Sequence, residues 1–359
     1  MCTNVINEIK SEGFAENLVE IFNNSALALM ISIGHRTSLF DFMAELPAST
    51  SEEISVKANL NERYVREWLG AMTTGKIVSY DDKTNRYKLP EEHASFLTRK
   101  ASPNNFAVFA QYISILGSVE DQVINCFKNG GGVPYSEFKR FHEVMAEDSG
   151  QSVLPVLIED IIPLVQGGIE ALENGIEVLD VGCGRGRAIL LLAERFPHSK
   201  FYGYDLSEEA INNAKRIVSE KKLQNIFFEA KDVTKFEIDN KFDLILAFDA
   251  IHDQAKPMNV LRGINRVLKD NGTFLMQDIA GSSHVHKNID HPLGTLLYTI
   301  SCMHCMTVSL AQNGDGLGAM WGEDTALEYL TGAGFNDVSI THLPHDVQNA
   351  YYVATKKSA

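Results

Sequence analysis

Three glycines stand two residues apart in the stretch EVLDVGCGRGRAIL, at Gly182, Gly184 and Gly186. Glycine lets a backbone take positive φ and approach a ligand closely. An apolar run precedes the loop and another follows it, so the loop lies between a strand and a helix. Two acids sit at the ends of the next apolar runs, Asp205 in KFYGYD and Asp232 in IFFEAKDV. A carboxylate has two oxygens and can accept two donors at once. Asp249, His252 and Asp253 follow in FDAIHDQ, and Asp278 closes GTFLMQDI. Histidine is the side chain best tuned for proton transfer near neutral pH. The chemistry these types could do is to hold a ligand against a backbone cradle and take a proton from a group beside it. His252 and Asp253 also fit a plainer reading, a packed ring and a cap for the QAKPMNVL helix.

The loop itself narrows the cofactor. A dinucleotide fingerprint, G-x-G-x-x-G/A, needs a small residue where this chain has Arg187. A phosphate-binding Walker loop needs Gly-Lys-Ser/Thr, which does not follow. A bare strand–helix turn is the remaining alternative on this loop alone. Cys183 fits as a spacer in the turn, with its backbone near the ligand.

These residues need a scaffold that brings them to one edge. From 176 onward apolar strands alternate with amphipathic helices, which predicts an α/β, doubly wound parallel sheet. Open sheets of this kind bind ligands at the carboxyl ends of their strands. The tail predicts a helix, TALEYLTGAGF, and a closing hairpin of DVSITHL and AYYVATK. The first hundred residues read as an α+β winged-helix unit. Thr50 and Glu53 form a capping-box pattern, and Asn61 caps ERYVREWLGAMTTG, with Tyr64, Val65, Leu69 and Met72 as its stripe. IVSY and RYKL then flank the turn DDKTN as two strands. The predicted divisions are 1–100 for the winged helix, 101–172 for a helical bridge and 173–359 for the ligand-binding domain.

Charge and composition bound the partners. The 359-residue chain carries a net charge of -15, unfavourable for binding a phosphate backbone. Residues 25–100 hold ten Lys/Arg and ten Asp/Glu, so the winged unit is neutral and a nucleic-acid partner is not expected. The apolar stretches fall short of a membrane span, and the N-terminus MCTNVINEIKSEGF lacks a signal's apolar core. Five cysteines, an odd number, suit a reducing compartment, and the expected location is the cytosol.

The segment 281–322 lies between the fifth strand and the last helix, where a lid over the site would hang. It holds His284, His286, His291, His304, Cys302, Cys305, Tyr298 and Trp321. The histidines do not fit a metal-ligand spacing, and no metal is expected. The pair Cys302–Cys305 reads best as small apolar residues on one helix face. His291 and His304 are alternative bases in that roof.

With Asp180 heading the G-x-G-x-G loop, Asp205 and Asp232 ending the next strands and LKDNGTFLMQDI closing the series, residues 176–357 resemble the class I methyltransferases. The whole chain resembles a subgroup with an N-terminal winged helix and the stretches GCGRGRA and FDAIHDQ. The resemblance implies a Rossmann-like methyltransferase sheet of strand order 3-2-1-4-5-7-6. It implies S-adenosyl-L-methionine as cofactor, with S-adenosyl-L-homocysteine as product. Asp180, Gly182, Cys183, Gly184, Gly186, Asp205, Leu206, Asp232, Val233, Phe248 and Asp249 would hold it, with Asp205 on the ribose hydroxyls, Asp232 on the adenine amino group and Val233 against the adenine ring. It implies transfer to a small-molecule oxygen, sulfur or nitrogen acceptor, with His252, Asp253, Asp278, His291 and His304 as candidates for the proton chemistry. Related plant-type enzymes imply a homodimer formed through the N-terminal domain. An alternative of another class is a winged-helix regulator whose second domain senses the cofactor without catalysis. A third, a nicotinamide-dependent oxidoreductase on the same sheet, is weakened by Arg187.

Overall fold

The computed structural model describes residues 7–236, 238 and 241–356. The chain forms two compact units, one up to Ser114 and one from Ile115 onward. That boundary divides the expected bridge, 101–172.

The first unit starts with a long helix α1 (Glu8–Arg36), followed by α2 (Leu39–Glu45), α3 (Ser51–Ala58) and α4 (Glu62–Thr74). A two-stranded wing follows, β1 (Ser79–Asp81) against β2 (Arg86–Lys88), then α5 (Glu91–Leu97). The caps act as the sequence indicates. Thr50 and Glu53 make a full capping box on α3, Asn61 caps α4, and Gly75 ends it. The stripe of α4 differs at one place. Val65, Trp68, Leu69 and Met72 are buried, while Tyr64 is 80% exposed. One residue is a 100° step around a helix, so Tyr64 cannot share Val65's face. Trp68 takes its place, packed edge-on to Phe40 and donating to the Met30 carbonyl at 2.8 Å.

Helix α6 (Ala110–Gly117) spans the boundary. The second unit continues with α7 (Glu120–Asn129), α8 (Phe141–Ser152) and α9 (Gly168–Asn174). The sheet strands are β3 (Glu177–Val181), β4 (Lys200–Asp205), β5 (Ile226–Ala230), β6 (Phe242–Phe248), β7 (Leu268–Ile279), β8 (Val338–Thr341) and β9 (Asn349–Thr355). Between them run α10 (Arg187–Arg195), α11 (Glu208–Lys221), α12 (Pro257–Val267), α13 (Gly294–Ile300), α14 (Met306–Ala311) and α15 (Gly322–Gly332). The order across the sheet is β5-β4-β3-β6-β7-β9-β8. Counted within the sheet, this is the expected 3-2-1-4-5-7-6. All pairs are parallel except those of β9 with β7 and β8.

Both sheet faces are covered, which is why the central strands are apolar throughout. Val260, Leu261 and Ile264 of α12 and Leu330 of α15 pack on one face. Ile189 and Leu192 of α10 and Ile211 and Ala214 of α11 pack on the other. With α10 and α11 each entering from the carboxyl end of a strand, the first βα turns gather at one rim.

Two helical runs, α1 and Gly294–Ala311, are long and apolar enough by length and composition alone to cross a membrane. That corrects the sequence expectation of no such stretch. The charged residues of α1 gather between Glu8 and Glu20 and return only at Arg36, which leaves an apolar window between them. The second run is continuous only because a π-helical turn, Ser301–Cys305, joins α13 to α14.

Candidate active site

The glycine loop turns between β3 and α10. Gly182 has φ 71°, and an added Cβ would lie 2.5 Å from the Ala250 Cβ. Gly186 has φ 69° and caps α10, where a Cβ would meet the Phe228 ring at 2.4 Å. Both positions exclude a side chain. Gly186 therefore serves helix packing, while an added Cβ at Gly184 would meet open space.

Above the loop is a cavity of about 130 Å³. Asp180, Gly182, Cys183 and Gly184 form its floor, with Phe248 and Asp249 from the end of β6 beside them. These are six of the eleven residues expected to hold the cofactor. Gly186, Asp205, Leu206, Asp232 and Val233 do not line it. Asp205 sits one strand away and steadies the loop: its carboxylate accepts from Gly184 N and Ser207 N, each at 2.8 Å. A carboxylate has lone pairs to spare for further donors. Leu206 beside it is 63% exposed. Asp232 ends the region after β5 and accepts from the Thr234 N–H and hydroxyl at 3.0 and 2.5 Å. Those bonds hold its carboxyl below the usual range. Val233 is buried in the core.

Asp180 is almost fully buried, and burial, with the charge of Asp205 behind it, pushes its carboxyl up to about 8. Burial likewise lifts Asp249 to about 6 and Asp253 to about 7, although His252 pulls both the other way.

His252 follows β6 and is 2% exposed. Its Nδ1 lies 2.7 Å from Asp278 Oδ1 at the end of β7, and 3.6 Å from Asp249 Oδ1. Asp278 Oδ1 also accepts from Trp321 Nε1 at 3.0 Å and from Ile279 N at 2.8 Å. Burial alone would discharge the imidazole, but the Asp278 carboxylate overrides it and holds the ring well above its ordinary value. The Cys305 thiol is the ring's other hydrogen-bonding neighbour. Asp249, His252 and Asp278 bring potential metal-ligand atoms within 4.8 Å of one another. Asp278 Oδ1 is already shared among three donors.

Asp253 does not cap the following helix; Lys256 stands at that position, with Pro257 first in α12. The two lid histidines separate. His304 is 2% exposed and stacks on Phe141 at 3.5 Å, with Phe138 and Tyr135 edge-on. Burial, then the nearby His252 and His142, push it down to about 3, so the ring is neutral. His291 lines a second cavity of about 680 Å³, with Tyr298, Cys302 and Val123. The Cys302–Cys305 pair thus straddles its helix, Cys302 facing that cavity and Cys305 facing His252.

Several lining residues carried no signal in the sequence. Helix α8 roofs the glycine-loop cavity with His142, Met145, Ser149 and Ser152, and Arg187 ties to it by donating to the Ala146 carbonyl. Gln277 and Asn349 close the far side. Asn349 opens β9 and pairs with Ile279, so only antiparallel insertion of β9 beside β7 brings it to this rim.

Residues 25–99 match the Rv2258c-like winged helix-turn-helix domain, and residues 172–324 match a methyltransferase domain. N-methyltransferase 4 of Papaver somniferum is 34% identical over 106 residues, covering 29% of this chain and 30% of the relative. (S)-Coclaurine N-methyltransferase of the same plant is 30% identical over 108 residues, covering 30% and 31%. The chain thus spans about a third of the length of these curated relatives. Among solved structures, a candidate O-methyltransferase from Nostoc punctiforme superposes with TM-score 0.71 at 19% identity, over 96% of this chain and 98% of that one. Human N-acetylserotonin methyltransferase, solved with S-adenosylmethionine, superposes with TM-score 0.66 at 16% identity over the whole of both chains. At such identities the superpositions speak for the fold. The chain therefore joins an Rv2258c-like winged helix-turn-helix domain to a methyltransferase domain of Rossmann-like fold.

Proposed function

We propose that this protein is an S-adenosylmethionine-dependent methyltransferase acting on a small molecule. One observation carries the reading. The glycine-loop cavity and two carboxylates, Asp205 and Asp232, lie in sequence along the carboxyl ends of β3, β4 and β5. That is a track for an amino-acid end, a ribose and a base, with exposed Leu206 placed to cover the base. When bound, the cofactor supplies a methyl group already activated by a sulfonium.

The chain's own residues align and deprotonate. Alignment of acceptor and methyl carbon can supply roughly 7–11 kcal/mol of the barrier. With the cofactor bound, the residues at the rim would present the acceptor's nucleophilic atom to the methyl carbon. The acceptor's proton passes to His252, which must be neutral to take it. Asp278, itself fixed by Trp321 and Ile279 N, orients the ring and stabilises the imidazolium that results. Asp253 and Asp249 add to that negative surround.

The acceptor is an oxygen, sulfur or nitrogen nucleophile; the relatives named above include both N- and O-methyltransferases. We further propose a homodimer through the N-terminal unit and a cytosolic location. Exposed Ile9, Phe14, Val19, Phe22, Leu29 and Ile33 on α1 support the first, and sedimentation should give twice the chain mass. The described cysteines, Cys126, Cys183, Cys302 and Cys305, are free thiols, which supports the second.

Calorimetric titration with S-adenosylmethionine, S-adenosylhomocysteine and NAD tests the central reading. Binding of the two sulfur compounds in about the micromolar range, near -8 kcal/mol, with none for NAD is expected. Binding of NAD alone, or of nothing, would refute it.

A further inference from the structure

The second cavity, of about 680 Å³, is lined by α7 and by the segment 285–303. It shares no lining residue with the glycine-loop cavity. Its size falls within the range of about 300–1,000 Å³ that small-molecule sites occupy. Large apolar side chains stand open on it. Phe127 of α7 is 77% exposed and Ile289 of the lid segment 75%. Exposed apolar residues gathered in one place mark a surface that binds something apolar.

The polar groups of this cavity are oriented by bonds made behind them. Asn288 is 6% exposed. Its Oδ1 accepts from Ser282 N at 2.9 Å. Its Nδ2 donates to the Ser282 carbonyl at 2.7 Å and to the Tyr298 hydroxyl oxygen at 3.0 Å. Tyr298 is thereby fixed as an acceptor from Asn288, and its own hydrogen is left for another partner. His291 Nδ1 accepts from Leu293 N at 3.1 Å. A ring nitrogen that accepts carries no proton, so the hydrogen of His291 sits on Nε2. The lining therefore offers two donors, the Tyr298 hydroxyl and His291 Nε2. Charge narrows the class further. Glu120 stands on the lining, and among the described residues no Lys or Arg does. Two neutral donors beside a carboxylate do not compensate an anion taken out of water.

We propose that this cavity binds an uncharged apolar molecule through a carbonyl oxygen that accepts from Tyr298 and His291. A carbonyl oxygen has two lone pairs and no hydrogen, which matches two donors. The apolar walls take the body of the molecule. Cys302, from the π-helical turn Ser301–Cys305, also lines the site, and the same turn presents Cys305 to His252 from its other side. Single π-helical turns recur at functional sites.

Fluorescence titration of the full chain with prodan, a dimethylaminonaphthalene carrying a propionyl ketone, tests this. Binding should shift the dye's emission to the blue. A companion dye has CH₂ in place of the ketone carbonyl. Wild type should bind the ketone about fivefold or more tightly than the companion, the worth of an ordinary hydrogen bond. Tyr298→Phe and His291→Asn should each remove most of that preference and leave the companion's affinity within about twofold. Asparagine supplies an oxygen where Nδ1 accepts from Leu293 N, so that variant drops the donor and keeps the turn. Melting curves report folding. Bound ketone should also shield Cys302 from N-ethylmaleimide, read by peptide mass spectrometry against Cys126, a free thiol off the lining. Equal affinity for the two dyes, or ketone binding that neither variant weakens, would overturn the proposal. So would binding that leaves Cys302 as reactive as before, since the dye then sits elsewhere. Absence of binding would overturn it too, and Cys302 shielded in an unliganded dimer would then assign the cavity to a second copy of the chain.

Discussion

Replacing His252 with alanine should lower kcat by about 10²–10⁴-fold, the range a positioned base contributes, with cofactor affinity almost unchanged. The expectation follows from placement. The ring sits past β6, buried, pinned by Asp278 at 2.7 Å, and it lies outside the glycine loop. Single-turnover methyl transfer and calorimetry measure the two quantities separately. Wild-type turnover in the variant would mean that the acceptor needs no base or finds it elsewhere.

The same pair predicts the pH profile. A base works only when neutral, and Asp278 holds His252 above its ordinary value of 6.5. Wild-type kcat/KM should therefore climb with pH to an inflection above 6.5. Asp278→Asn removes the charge that raises the ring, so the inflection should move to lower pH while the plateau falls as orientation is lost. Trp321→Phe keeps the aromatic bulk but drops one donor to Asp278. It should move the inflection the opposite way, because a carboxylate with fewer donors is the stronger partner for an imidazolium. An inflection that stays put in Asp278→Asn would remove His252 as the titrating group.

Asp205→Ala should weaken S-adenosylmethionine binding by about 10²-fold, since two hydrogen bonds to a charged group are worth roughly 3 kcal/mol or more together. Part of this loss reaches the ligand through the loop. Asp205 accepts from Gly184 N and Ser207 N, so its removal frees the central glycine of the cradle as well as the expected ribose contact. Asp205→Asn keeps one acceptor oxygen and should lose less. Calorimetry with a melting curve of the unliganded variant distinguishes lost contact from lost fold. Unchanged affinity in a folded Asp205→Ala protein would refute the ribose role.

Much of the architecture could be read from local pattern because local physics sets it. Thr50, Asn61 and Ser207 cap helices through side chains that satisfy N–H groups within three residues. The alternation of buried strands and amphipathic helices after 176 forces a two-sided parallel sheet, and its carboxyl rim then follows. The positions of Gly182, Asp205, Asp232 and His252 at that rim come directly from where each apolar run ends.

The sequence alone thus determined the two domain types, the strand order expected from family likeness, and the run of glycines and acids along one sheet edge. Tertiary structure decided what those residues touch. It made Gly186 a packing residue against Phe228, sent His304 into a ring stack on Phe141, and placed His291 on a different cavity. It also brought Arg187 against α8, Trp321 to Asp278, and Asn349 to the glycine loop's rim. Those contacts join residues some 40 to 170 positions apart. No periodicity within a window of one helix or strand records such pairs, because only the closing of the sheet and the docking of its helices brings them within hydrogen-bonding distance.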